Sequence, residues 1–192
     1  MDGAVSPTRG AKVATPGPYM GMNEPRRIWW AHPGKLCLLE RPGGGGRSHR
    51  PERRAADIDY LRASGVRLVV STMTTRHNLA DYEAAGIAWE HMPVPDAGEG
   101  TEALDRVLAL LRRELRRRGG VAVHGNRLTD FVAAVGAAWL RDAHGADPAD
   151  ALDAARAAGL RPSAAGAALL GIDWDPGRFE APARPRTAAG GS

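Results

Sequence analysis

The 192-residue chain has a single cysteine, Cys37, which excludes an intrachain disulfide and suits a reducing compartment such as the cytoplasm. No apolar run approaches the roughly 20 residues that span a bilayer, so no membrane partner is expected. The opening stretch MDGAVSPTRGAKVATPGPYMG lacks the apolar segment of a signal peptide. Lysine is nearly missing: only Lys12 and Lys35 occur, so the net charge of +4 and the isoelectric point near 9.8 rest on arginine. With abundant alanine and glycine, this is the composition of a high-GC genome, and it weakens the basicity as a sign of a nucleic-acid partner. The arginine-rich stretch 112–118 also has no interleaved aromatics, which argues further against nucleic acid. The histidines (His32, His49, His77, His91, His124 and His144) show no metal-ligand spacing, so neither a metal nor a cofactor is expected. The run Gly43-Gly44-Gly45-Gly46-Arg47-Ser48 lacks the Gly-Lys-Ser/Thr ending of a phosphate-binding loop and reads as a flexible connection.

What is present is ordinary for a globular domain: 43% hydrophobic and 25% charged residues, with no internal repeat. Residues 1–23 are rich in Gly, Pro, Ser and Ala without periodicity and read as a flexible arm. Residues 175–192 read as a tail of the same kind, leaving a folded body over 24–174. Within it, Arg27–Trp30 and Lys35–Leu39 read as strands around the turn His32-Pro33-Gly34. A basic loop follows over Arg41–Arg54, then a helix over Asp57–Ser64 stopped by Gly65. The apolar run Val66–Ser71 reads as a buried strand, Ala80–Ala85 as a short helix and Ile87–Met92 as a strand. Leu104, Val107, Leu108, Leu111 and Leu115 recur at helical spacing, with arginines crowding the last turns, where cations complement the helix dipole. Gly119-Gly120 ends that helix and Val121–Val123 is expected to be the central strand. Helices are expected over Thr129–Ala143, over Ala149–Ala158 behind the cap Asp147-Pro148, and over Ser163–Leu170. Strands alternating with helices imply an α/β domain with a mainly parallel central sheet flanked by helices.

In a parallel sheet the C-terminal strand ends form the ligand crevice. Two strand exits therefore matter. The polar loop after Leu68–Val70 carries Ser71, Thr72, Thr74, Thr75, Arg76 and His77, and the exit from Val121–Val123 carries His124, Gly125, Asn126, Arg127 and Thr129. Arg127 opposes the dipole of the helix it begins, which points to a carboxylate or phosphate partner. Asn126 and Thr129 are candidates for capping that helix or for contacting a ligand. Asp96 is either an acid at a helix start or part of a working loop, and the residues alone leave both open.

The order Asn23-Glu24-Pro25-Arg26, Trp29-Trp30, Pro33-Gly34-Lys35-Leu36, then Leu61-x-x-x-Gly65-Val66-Arg67-x-Val69-Val70-Ser71, Tyr82-x-x-x-Gly86-Ile87, Pro93-Val94-Pro95-Asp96 and Val121-x-Val123-His124 resembles bacterial dual-specificity-type, cysteine-dependent phosphatases over about residues 23–172. The resemblance implies their fold. It also implies a signature of His-Cys, five residues, Arg and Ser/Thr, in which the thiolate attacks phosphorus, amide N–H groups and the Arg hold the oxygens, and a separate Asp protonates the leaving group. His124 matches the signature His and Asp96 the acid, but Gly125 occupies the nucleophile position and Arg127 follows too soon. So little chain cannot supply a ring of five or six amides. Cysteine-dependent phosphatase chemistry is thereby excluded, and a degenerate member, a pseudophosphatase, is expected.

Two functions remain open. One is a non-catalytic module that binds a small-molecule or anionic ligand through Arg127, Asn126, Thr129 and Thr74–His77. The other is a repurposed enzyme doing acid–base chemistry (cyclisation, elimination or isomerisation) on a small organic substrate in bacterial specialised metabolism, with His124 and Asp96 as catalytic residues.

Overall fold

The computed structural model describes residues 24, 25, 27–44, 50–94, 100–125, 130–160 and 162–179. The arm expected over 1–23 and most of the tail expected over 175–192 lie outside them. In chain order the elements are β1 (Ile28–His32), β2 (Leu36–Glu40), α1 (Pro51–Ala63), β3 (Val66–Ser71), α2 (Leu79–Ala84), β4 (Ala88–His91), α3 (Gly100–Glu114), β5 (Gly120–Gly125), α4 (Asp130–His144), α5 (Pro148–Ala157), α6 (Ala164–Leu169) and α7 (Pro176–Phe179). The sheet runs β1-β2-β5-β3-β4. β2, β5, β3 and β4 are parallel to their neighbours, and only β1 is antiparallel, on β2. The mixed α/β architecture with a mainly parallel sheet is therefore as the strand–helix alternation implies.

β5 is buried along its whole length because it lies in the middle of the sheet with helices on both faces. Successive side chains of a strand point to opposite faces. Val121 and Val123 join Leu36, Leu38 and Val70 in a core against α3–α6, while Ala122 joins Cys37, Leu39 and Val69 in a second core against α1 and α2. The next residue on this second face is His124. The β3–β5 register shifts between Val66 and Leu68. Arg67 stands at that irregularity and donates to the carbonyl of Glu114 (2.6 Å), the last residue of α3, and to that of Arg118 (2.7 Å) beyond it. Lys35, in the turn before β2, donates to the Arg117 carbonyl. The two cations thus satisfy one carbonyl at the end of α3 and two in the turn that follows it.

α1 begins at Pro51, ahead of the helix read from the sequence at Asp57, so the basic loop is shorter than Arg41–Arg54. Proline at the first helical position has its φ preset and loses only an N–H that would be unpaired anyway. The helix then presents Asp57, Ile58, Tyr60 and Leu61 inward at i, i+3, i+4 spacing and stops at Gly65, whose φ of +79° favours glycine. The Asp147 side chain caps α5 by accepting from the N–H groups of Ala149 and Asp150, and Ser163 caps α6 through the N–H of Ala165. In α7 Phe179 is buried and stacks on Trp174 at 4.9 Å.

Candidate functional site

His124 is fully buried at the C-terminal end of β5. Its carbonyl accepts from both the N–H (2.9 Å) and the hydroxyl (3.0 Å) of Thr72, just past the end of β3. Its ring faces α2, where the Tyr82 hydroxyl lies 3.0 Å from Nε2. Burial chiefly, with the nearby Arg41 cation adding, holds the His124 pKa down to about 4, while the Gly125 backbone partly opposes. The ring is therefore neutral at physiological pH. Burial raises the Tyr82 hydroxyl above its ordinary range, so it keeps its proton and shares a hydrogen bond with Nε2. The other nitrogen, Nδ1, makes no sound hydrogen bond to any described residue.

Two further groups gather at the same strand ends. The Arg41 N–H donates to the Gly125 carbonyl (3.0 Å), tying the turn after β2 to the end of β5. The Arg41 side chain is buried, and its Nε (3.3 Å) and Nη2 (3.0 Å) both reach the Gly44 carbonyl. Gly43, at φ +88°, donates its N–H to Asp57 on α1 (2.9 Å). The Asp57 pKa is raised, mainly by burial, with this N–H and Arg53 opposing. Asn78, held in the left-handed region at φ +67°, spans from α2 to the Pro42 carbonyl (2.9 Å). The start of the glycine-rich connection is thus pinned at residues 41–44, where the sequence suggested a flexible loop.

Of the residues singled out from sequence, His124 is placed as described. Asp96, Asn126, Arg127 and Thr129 lie outside the described residues. Thr74, Thr75, Arg76 and His77 are exposed beyond β3. Among the described residues no hydrogen bond, ion pair or ring contact joins any of them to His124. Arg76 instead lies over the Trp89 ring (5.7 Å) on the edge strand β4. Cys37 is buried within β2, paired with Ala122 in register, and burial pushes its thiol well above the ordinary range. Among the described residues no three His, Cys, Asp or Glu side chains gather as a metal site, and no helix is long and apolar enough to cross a membrane.

Sequence reading placed Thr72 in the crevice loop after the strand, quoted Tyr82 only within the resemblance and passed over Arg41. Tyr82 carried a signal: it falls at a fixed step before Gly86-Ile87, and a buried tyrosine needs a partner for its hydroxyl. Arg41 carried none, since its role comes from which strand ends meet in the sheet.

Solved structures similar to the chain include human DUSP28, with a TM-score of 0.57 and 23% identity over 77% of this chain and 92% of that one. Tk-PTP in its active form has a TM-score of 0.57 and 20% identity over 76% of this chain and 94% of that one. A mouse putative dual specificity phosphatase complexed with zinc tungstate has a TM-score of 0.58 and 20% identity over 85% of this chain and 91% of that one. The chain therefore has the dual-specificity/tyrosine phosphatase fold. No family model and no curated protein sequence matches it.

Proposed function

We propose that the chain uses this phosphatase frame to bind a small anionic molecule at the C-terminal edge of the sheet, without thiol-based hydrolysis. The observation that carries the reading is the end of β5: His124 is followed by Gly125, and the one thiol of the chain, Cys37, is buried in the neighbouring strand. Attack on phosphorus needs a thiolate, which requires a lowered pKa and access, and Cys37 has neither. On this reading Arg127, Asn126 and Thr129 contact the ligand from the start of α4, and Thr74–His77 form the rim. A cytoplasmic setting suits a chain whose sole cysteine is a free thiol.

The competing reading, an acid–base enzyme, asks His124 to move protons. A ring with Nε2 engaged by Tyr82 and a pKa near 4 is a weak base at neutral pH, which favours a positioning role and leaves Asp96 to carry any such chemistry. The expected outcome for the full chain is no turnover of p-nitrophenyl phosphate above a blank. Turnover that an Asp96→Ala change abolishes would overturn the proposal.

A further inference from the structure

A buried cation normally has a carboxylate beside it, because an uncompensated charge away from water is costly. The other buried or half-buried arginines of this fold follow that rule. Arg53 meets Asp57 (3.7 Å), Arg54 meets Asp81 (3.3 Å) and Arg67 meets Glu114 (3.0 Å). Arg41 is only 7% exposed, more buried than any of these, and forms no ion pair among the described residues. Asp57, the acid that binds the neighbouring Gly43 N–H, is itself paired with Arg53. The carbonyl of Gly44 occupies Nε and one Nη2 hydrogen of Arg41. The opposite edge of the guanidinium, Nη1 with the second Nη2 hydrogen, remains as an end-on fork, the geometry that grips a carboxylate or phosphate through two parallel bonds.

The surroundings point the same way independently of the charge. His124 Nδ1, Ser71 Oγ and Asn78 Oδ1 are all buried and lack hydrogen-bond partners among the described residues. Buried polar atoms are nearly always paired, so three such atoms in one neighbourhood need explanation. Ser71 and His124 are register partners on adjacent strands. Asn78 binds the Pro42 carbonyl beside Arg41, and Tyr82 joins His124 to the same helix. The region thus offers a cation, an imidazole nitrogen, a hydroxyl and an amide oxygen within one corner of the fold.

We infer that Arg41 is the anchoring residue for the anion, gripping a small oxyanion end-on at the exit of β2, next to the end of β5. This rests on the anion-binding reading above but assigns the charge to a residue outside the stretch 124–129. The ligand class is a compact oxyanion, phosphate or carboxylate; hydrogen phosphate, with a protonated oxygen, can also meet Asn78 Oδ1, and acetate cannot.

The test is titration of the full chain with inorganic phosphate, and separately with acetate, followed by amide NMR shifts, for the wild type and the variants Arg41→Gln, Arg41→Lys and Arg127→Ala. Glutamine keeps a donor for the Gly44 carbonyl but removes the charge. Arg41→Gln is expected to weaken binding at least tenfold, and Arg41→Lys, which loses the fork, several-fold. Without phosphate, Arg41→Gln should unfold at the same or higher urea concentration than the wild type, because it deletes an uncompensated cation. A purely structural Arg41 would lower that midpoint and leave phosphate affinity unchanged in the folded Arg41→Lys protein, and this result would overturn the inference. Wild-type affinity in Arg41→Gln together with loss in Arg127→Ala would also overturn it while leaving the anion-binding reading intact. Absence of saturable binding of either anion to the wild type would remove that reading, and the role of Arg41 with it.

Discussion

Tyr82 and His124 show how one buried pair decides what a residue can do. The phenol pairs with Nε2 of His124, and the apolar surroundings keep the ring uncharged. Replacing Tyr82 by Phe keeps the packing but leaves Nε2 without a partner in a site closed to water. An unsatisfied buried polar group costs about 1–3 kcal/mol, so Tyr82→Phe should lower the unfolding free energy by that amount in urea titration. A loss too small to measure would mean that the pair contributes packing alone. At this scale the sequence was only half legible. His124 could be picked out because it ends an apolar strand, but its partner lies 42 residues away and could not be paired with it by spacing. Arg41 was hidden for a related reason. A residue in a glycine-rich, basic connection looks solvated until the sheet order brings it against Gly125.

Among the elements, α4 packs closely on the sheet. Its interior is mostly small residues, with Val132, Ala133, Ala134, Val135, Ala137 and Ala138 completely buried. A methyl group at Gly136 would overlap the Trp29 ring and lie 3.0 Å from a Leu38 methyl. Alanine is the better helix former by about 1 kcal/mol, so an exposed glycine would gain from the change. Here overpacking opposes it, and such strain typically costs about 1–3 kcal/mol. Gly136→Ala is therefore expected to destabilise, with a lower thermal midpoint; a higher midpoint would show that Trp29 moves aside freely. Helix periodicity made α3 and α4 readable because their apolar stripes are long. The start of α1 was not, since Arg50-Pro51-Glu52-Arg53-Arg54 has no apolar period and only the preset proline marks it.

For the molecule as a whole, the buried ionisable groups set a pH dependence. A histidine held neutral in the fold binds its proton more readily when unfolded. Stability from His124 is therefore complete above about pH 6.5 and is lost as the pH falls toward 4. With a folded value near 4 the full effect is on the order of 3 kcal/mol. His32, held low by burial, His144 and Lys35, acts in the same direction. Glu114 acts at lower pH. Hydrogen bonds from Arg113, Arg67 and Arg117 hold it at about 2, so its contribution is present above about 4.5 and is lost as the pH falls toward 2. Urea midpoints measured from pH 8 to pH 4 should fall, and a His124→Asn variant should show a shallower fall than the wild type. An unchanged slope would assign the effect elsewhere. The fold class was the most legible part of the chain, because strand–helix alternation and apolar runs report layers directly. Val121–Val123 was legible as the central strand, as the sheet has it, but the order of the others was not, because nothing local tells β2 and β3 to flank it.

That order has a consequence for how the protein is made. The middle plank of the sheet is the last strand to leave the ribosome. Until residues 120–125 emerge, β1–β2 and β3–β4 are two separate ribbons with open inner edges, and an edge of that kind invites the wrong neighbour. A nascent chain stalled just short of Gly120 would be the species most in need of a chaperone.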